Sequence, residues 1–141
     1  MELKYVSEDG CEPIYGNDRA AGIDLRAKER VELPYGIPRR VGTGLCVEIP
    51  TGHVGLVRGR SGLAFRRGIW SFDGTIDEDY RGEISLLLLN LSDVGKVAVI
   101  EKGERTCQLV IVPVVRAILF KVWGLTETSR GGAGFGSTGE R

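Results

Sequence analysis

The sequence predicts an all-β fold: a jelly-roll-like sandwich or barrel with one short helix and a flexible, glycine-rich C-terminal tail. Three observations carry that expectation. Apolar and polar residues alternate in many short stretches, as in Ile23-Asp24-Leu25-Arg26, which is the period of a strand with one buried face. Turn residues recur roughly every ten positions, too often for a helical protein. Two runs, Ile84–Leu89 and Cys107–Val115, are nearly continuously apolar, interrupted by Ser85 and Gln108, the pattern of strands covered on both faces.

In chain order, Met1–Val6 reads as the first strand and Cys11–Asp18 as a loop containing Pro13 and Gly16. Ala20–Ala27 is a half-buried strand. Its Asp24 lies on the face opposite Ile23 and Leu25, the solvated side on this pattern. Val31–Leu33 and Arg39–Ile49 give further strands, Pro50-Thr51-Gly52 turns the chain, and His53–Val57 follows. His53 has no His or Cys neighbour and reads as an ordinary strand residue. Leu63–Arg67 is the short helix, with Ser61 as N-cap and Gly68 as stop. The amides after Ser61 would then point outward beside Arg60 and offer an anion site, although a plain cap with a surface arginine has the same sequence.

The stretch Gly74–Leu91, GTIDEDYRGEISLLLLNL, organises the rest. A turn crowded with ionisable groups (Asp77, Glu78, Asp79, Tyr80, Arg81, Glu83) is pinned to the apolar run Ile84–Leu89. A carboxylate that must be held in one place needs such an anchor; capping the turn is the alternative role for Asp77. Beyond it, Lys96–Ile100 is a strand and Glu101–Arg105 a turn. Pro113 moves the run Cys107–Val115 to a sheet edge or a crossing between units, and Ala117–Val122 is the last strand.

Residues 1–128 are read as one β-domain and 129–141, SRGGAGFGSTGER, as a mobile tail, because glycines at 131, 132, 134, 136 and 139 cannot build a packed element. A lone aromatic, Phe135, followed by Ser137 and Thr138 suits a segment that closes over a phosphorylated aromatic ligand; a linker end has the same composition.

A chain of 141 residues, 42% hydrophobic and 27% charged, suits one globular domain. Its net charge of zero and pI near 6.6 lack the basic excess of a general nucleic-acid or membrane-surface binder, but leave room for a small polyanion held by a few groups. Cys11, Cys46 and Cys107 form no CxxC pair and there is a single His. That argues against zinc and for buried thiols in a reducing, cytoplasmic setting. The N-terminus has no apolar signal core and no transmembrane run follows. The two nearly continuous apolar strands need more cover than one small sandwich supplies, so an obligate subunit interface is expected.

Five separated pieces, AGIDL (21–25), GRSGLA (59–64), GTIDEDYRGE (74–83), GERTCQLVI (103–111) and RGGAGFGSTG (130–139), together resemble the five motifs of the trimeric deoxyuridine triphosphatase (dUTPase) family. The similarity spans nearly the whole chain in order. It implies a homotrimer of jelly-roll-like subunits (the dUTPase-like β-clip), with three active sites each assembled from all three chains. It also implies hydrolysis of dUTP to dUMP and pyrophosphate with Mg2+ on the triphosphate.

By the same resemblance Asp77 orients and activates the water that attacks the α-phosphorus, and accepts a hydrogen bond from the sugar 3′-hydroxyl. Tyr80 lies under the deoxyribose and excludes a ribose hydroxyl. Backbone groups of a hairpin around Asp73, Gly74, Thr75 and Ile76 read uracil; many members carry Asn near Phe72–Asp73, so a side-chain contact from that point is not carried over. Arg60, Ser61 and Gly62 grip the phosphates from a neighbouring subunit, and Gln108 holds an α-phosphate oxygen or the water. Asp24 reaches the magnesium through water. Arg130, Phe135, Gly136, Ser137 and Thr138 come from a third subunit, Phe135 on the uracil and the others on the γ-phosphate and nearby oxygens. Glu104, Thr106 and Cys107 depart from the usual motif at positions that read as structural.

Two alternatives stand beside this reading. A dCTP deaminase has the same fold but resembles RSS rather than RSG and carries a proton-shuttling glutamate where this chain has Leu87. A regulatory binding module of the same fold would need no chemistry, whereas Asp77 and the tail are both present.

Overall fold

The computed structural model describes residues 1–133. Phe135, Gly136, Ser137 and Thr138, assigned above to the third subunit's contribution, lie outside the described residues. The elements run β1 Lys4–Ser7, β2 Ile14–Tyr15, β3 Ile23–Arg26, β4 Val31–Pro34, β5 Arg39–Gly42, β6 Leu45–Glu48, β7 His53–Gly59, α1 Ser61–Arg67, β8 Ile69–Ser71, β9 Gly74–Ile76, β10 Ser85–Asn90, β11 Val97–Ile100 and β12 Arg105–Pro113. The all-β architecture with one short helix is therefore as the sequence predicts.

A five-stranded sheet, ordered β2-β3-β12-β7-β9, packs over a three-stranded sheet β5-β10-β8 and the pairs β1-β6 and β4-β11, and every strand pair is antiparallel. All of these sheets send side chains to one core: Leu25, Val57 and Leu109 from the largest, Leu88 from the three-stranded sheet, Leu33 and Leu45 from the pairs. Cys107 is fully buried there, and burial pushes its thiol up to about 12, so it packs and does not react. Asn90 is equally buried, but its amide donates to the carbonyls of Leu33 and Lys96 while its oxygen accepts from Ser92, which removes the cost of burying it.

Several expectations change. The loop Cys11–Asp18 contains β2, which pairs with β3. The helix starts one residue earlier than its cap signal: Arg60 is the N-cap, with extended backbone and no side-chain cap, and Ser61 is the first helical residue. Gly68 ends the helix in the left-handed conformation, φ 60°. A Cβ there would also collide with the Ser92 backbone, so only glycine fits. Strand β10 is not covered on both faces in the single chain. Leu86, Leu88 and Asn90 point inward, while Leu87 is 45% exposed.

Strand β12 is central rather than marginal. Arg105–Leu109 pairs with β3 and 107–113 with β7, so 107–109 lie between two strands while the last four residues pair only with β7. Pro113 closes that overhang, where its missing N–H costs no ladder bond. The segment expected as a hairpin near Asp73 is instead a corner: β8 joins β10, β9 joins β7, and Phe72–Asp73 carries the chain between two sheets. The strand expected at Ala117–Val122 is absent. Past Pro113 the described chain has no helix or strand, and Val115, Ile118, Leu119 and Trp123 are almost wholly exposed. No helix among the described residues is long and apolar enough to cross a membrane.

Candidate active site

The site residues fall into two groups at opposite ends of β7. The first surrounds Asp24. Far from being solvated, its carboxylate is buried, because β12 and β2 flank it and its face of the sheet is covered. Gln108 Nε2 donates to Oδ1 at 3.1 Å, Arg105 Nη1 donates to Oδ2 at 2.9 Å, and Arg60 Nε lies 3.3 Å from Oδ1. Arg60 also donates to the Arg105 carbonyl at 3.1 Å.

Arg105 and Gln108 are three residues apart and would face opposite ways on a regular strand. A register shift between Arg105 and Cys107 turns both toward the same carboxylate. Arg105 was missed because a bulge leaves no mark in period-two reading. A buried carboxylate between two guanidiniums has its own charge more than compensated and a donor on each oxygen, so Asp24 acts as the post that holds Arg60 in place. Beside it, Ser61 and Gly62 are exposed, and a Cβ on Gly62 would meet nothing within 4 Å. The first intrahelical amides are those of Leu63 and Ala64, so the Ser61 and Gly62 amides precede the ladder, open to an anion.

The second group is the turn after β9. Asp77 is exposed, and its carboxylate makes no hydrogen bond or ion pair among the described residues. It lines a cavity of about 560 Å³ with Thr75, Glu78, His53 and Arg116. The turn is tied down on both sides of it. Glu78 accepts from the Gly52 amide at 2.6 Å, and Arg81 donates to the carbonyls of Glu78 and Tyr80. The Tyr80 amide donates to the Asp77 carbonyl at 3.1 Å, and its hydroxyl donates to the Glu83 carbonyl, also at 3.1 Å. Gly82 leaves room for the Tyr80 ring, since a Cβ there would overlap its hydroxyl and displace it.

Glu83 anchors the far end. It accepts from Lys28 Nζ at 2.8 Å and from the Gly44 amide at 2.9 Å. Burial by itself would raise the Glu83 carboxyl, but the Lys28 and Gly44 hydrogen bonds and the Lys28 and Arg40 charges outweigh it and leave the group below its ordinary value. A carboxyl lowered by folding stabilises the fold at pH above its unfolded value, about 4.3, and that contribution is lost as pH falls through the lower folded value. Glu83→Gln should therefore flatten the fall in melting temperature between about pH 5 and pH 3. Unchanged acid dependence of thermal unfolding would show that another carboxylate controls it.

The edges of the corner complete the site. Strand β8 pairs only with β10 and β9 only with β7, so Gly74, Thr75 and Ile76 keep one open edge among the described residues. The Asp73 side chain turns away to accept an ion-paired hydrogen bond from Arg58. Arg130 lies in the exposed segment, its Nε on the Ala133 carbonyl at 3.0 Å, and is brought to neither group.

The two groups do not meet. Ile76 is opposite Gly55, so Asp77 leaves the sheet beside Val54, while Arg60 follows the other end of β7; six strand residues span roughly 20 Å. No group of three His, Cys, Asp or Glu side chains that could cage a metal exists among the described residues. Both oxygens of Asp24 face cationic or amide donors. That chemistry does not fit an ion bound directly by this carboxylate; a divalent ion carried on a polyphosphate would have to be reached through water.

Comparison with known proteins follows the same lines. The model of the dUTPase family matches residues 11–139. A deoxyuridine 5′-triphosphate nucleotidohydrolase of Anaeromyxobacter sp. (strain Fw109-5) is 53% identical over 129 residues, 90% of this chain and 86% of that protein. One from Nautilia profundicola is 44% identical over 142 residues, 99% of each. Among solved structures, a point mutant of the Staphylococcus bacteriophage 80alpha dUTPase with dUpNHpp superposes with a TM-score of 0.88 at 27% identity, covering 98% of both chains. With the family model spanning all five motifs and close relatives aligned nearly end to end, the chain belongs to the dUTPase family.

Proposed function

We infer that the protein hydrolyses dUTP to dUMP and pyrophosphate, which supplies dUMP for thymidylate synthesis and keeps uracil out of DNA. The observation that carries the way it works is the division of the site along β7: a phosphate grip at one end and a free carboxylate at the other, too far apart to serve one nucleotide within one chain. Three copies in a homotrimer bring the Asp77 end of one against the Arg60 end of the next.

Other features support the assembly. The outer face of β5-β10-β8 carries Leu87, Trp70 and Phe72, all about half-exposed, and the apolar segment after Pro113 is left largely uncovered by the described residues. Burying such surface between subunits is favourable by about 25 cal/mol per Å². The free thiols of Cys11, Cys46 and Cys107 suit a reducing, cytoplasmic setting.

In the assembled site the open edge of β9 pairs with uracil. A methyl at C5 clashes with so close an edge, and cytosine presents the wrong donor pattern. Tyr80, held by Glu83 and Gly82, packs under the sugar and leaves no room for a 2′-hydroxyl. Arg60, posted on Asp24, and the Ser61 and Gly62 amides hold the phosphates, with Gln108 at the α-phosphate. Asp77 takes the proton of the water that attacks the α-phosphorus; the bond to the α–β bridging oxygen breaks and pyrophosphate leaves. Mg2+, when bound with the triphosphate, neutralises phosphate charge, with Asp24 reaching it through water. Arg130 and residues 135–138 of a third chain cover the nucleotide.

The test is pyrophosphate release from dUTP against dCTP, dTTP and UTP, with and without Mg2+. Fast release from dUTP alone is expected. Ammonia from dCTP, or no turnover of any of them, would overturn the reading.

A further inference from the structure

The site assigns no role to Arg58, yet its position is specific. Across the five-stranded sheet Asp24 is opposite Gln108 and Gln108 opposite Arg58, so these side chains form one row on one face. Gly74 is opposite Val57, and the row therefore ends on Asp73, whose carboxylate accepts from Arg58 Nη1. Asp24 is already engaged by Arg60, Arg105 and Gln108, which leaves Asp73 as the acceptor for Arg58.

Asp73 is also the point where the chain crosses from one sheet to the other. Strand β9 is only three residues long and is held by β7 alone. So short a ladder leaves the edge free to shift unless something outside it fixes the corner. The end of β7 is seated close against β8, since a Cβ on Gly59 would come within 3.1 Å of Ser71 Oγ. The Arg58–Asp73 pair spans the remaining gap.

We propose that Arg58 is a positioning residue for base recognition: through its ion pair with Asp73 it fixes the Phe72–Asp73 corner and so sets the β9 edge against the nucleotide base. This rests on the reading of β9 as the uracil-reading edge. Arg60 follows two residues on, just past the end of β7 as the helix N-cap, so one short segment holds both the support of the base reader of one site and the phosphate grip of the next. The pair is about half-exposed on each side, which limits what it adds to overall stability; its effect is on where the edge sits.

The experiment compares Arg58→Gln, Asp73→Asn, the double variant and Arg58→Lys by steady-state kinetics with dUTP and dCTP. The expected result for Arg58→Gln is a KM for dUTP raised about fivefold, with kcat within about twofold of wild type and a smaller preference for dUTP over dCTP. Asp73→Asn should match it, the double variant should be no worse than either, and Arg58→Lys should recover part of the loss. Unchanged KM, additive losses in the double variant, or a loss that grows with the number of phosphates while Asp73→Asn is silent would overturn the proposal; the last would make Arg58 a phosphate ligand. Amide exchange at Gly74–Ile76 without nucleotide gives a readout independent of turnover. It should quicken in both single variants, and unchanged exchange would count against the corner being held this way even if the wild-type chain proved inert toward dUTP.

Discussion

Asp77→Asn is expected to lower kcat at least ~100-fold while leaving assembly and nucleotide binding in place. The change is nearly isosteric and falls on an exposed side chain that makes no hydrogen bond or ion pair among the described residues, so the fold loses nothing by it. What is lost, on the proposed mechanism, is the proton acceptor. The amide still orients a water, but it cannot take the proton as the oxygen–phosphorus bond forms. The turn that holds it, fixed by Glu78 on Gly52 and by Glu83 on Lys28 and Gly44, should keep its geometry. A stopped-flow or pyrophosphate-release assay beside a nucleotide titration separates the two effects. Near-normal turnover would remove Asp77 from the chemistry.

Deleting residues 129–141 is expected to leave a folded trimer with most activity gone. No strand or helix of the described fold includes Ser129–Ala133, and the core lies wholly before Pro113, so stability should hardly change. On the proposed assembly the activity should fall because Arg130, supplied by another chain, would neutralise phosphate charge and Phe135 would exclude bulk water. The proposed contacts of Arg130, Ser137 and Thr138 are with the γ-phosphate, so the deletion should also weaken the discrimination between triphosphate and diphosphate. Size-exclusion chromatography with light scattering, together with turnover at saturating dUTP, measures both. A fully active truncation would make the segment a linker.

What the residues spelled out and what they hid differ for physical reasons. Strand periodicity is local, so Ile23-Asp24-Leu25-Arg26 and His53–Val57 were legible. Which sheet a strand joins is not local, so Phe72–Asp73 read as a hairpin when it is a corner. Pro113 marked the end of β12, yet its position in the middle of a sheet depends on how far β3 extends beside it. The expected strand at Ala117–Val122 is apolar enough, but an apolar segment becomes a strand only against a partner edge, and among the described residues this one pairs with none.

The sequence by itself determined the fold class and the family, because period-two patterning, turn chemistry and five ordered motifs are carried by residue types and spacing alone. Tertiary structure decided the rest. It buried Asp24 and made it a post for Arg60 through a bulge that no periodicity reveals. It also joined Arg58 to Asp73 across adjacent strands, and it set Asp77 and Arg60 at opposite ends of β7. Those are distances between residues far apart in the chain, fixed by strand register, and a side chain's charge partner follows from register rather than from its neighbours in sequence.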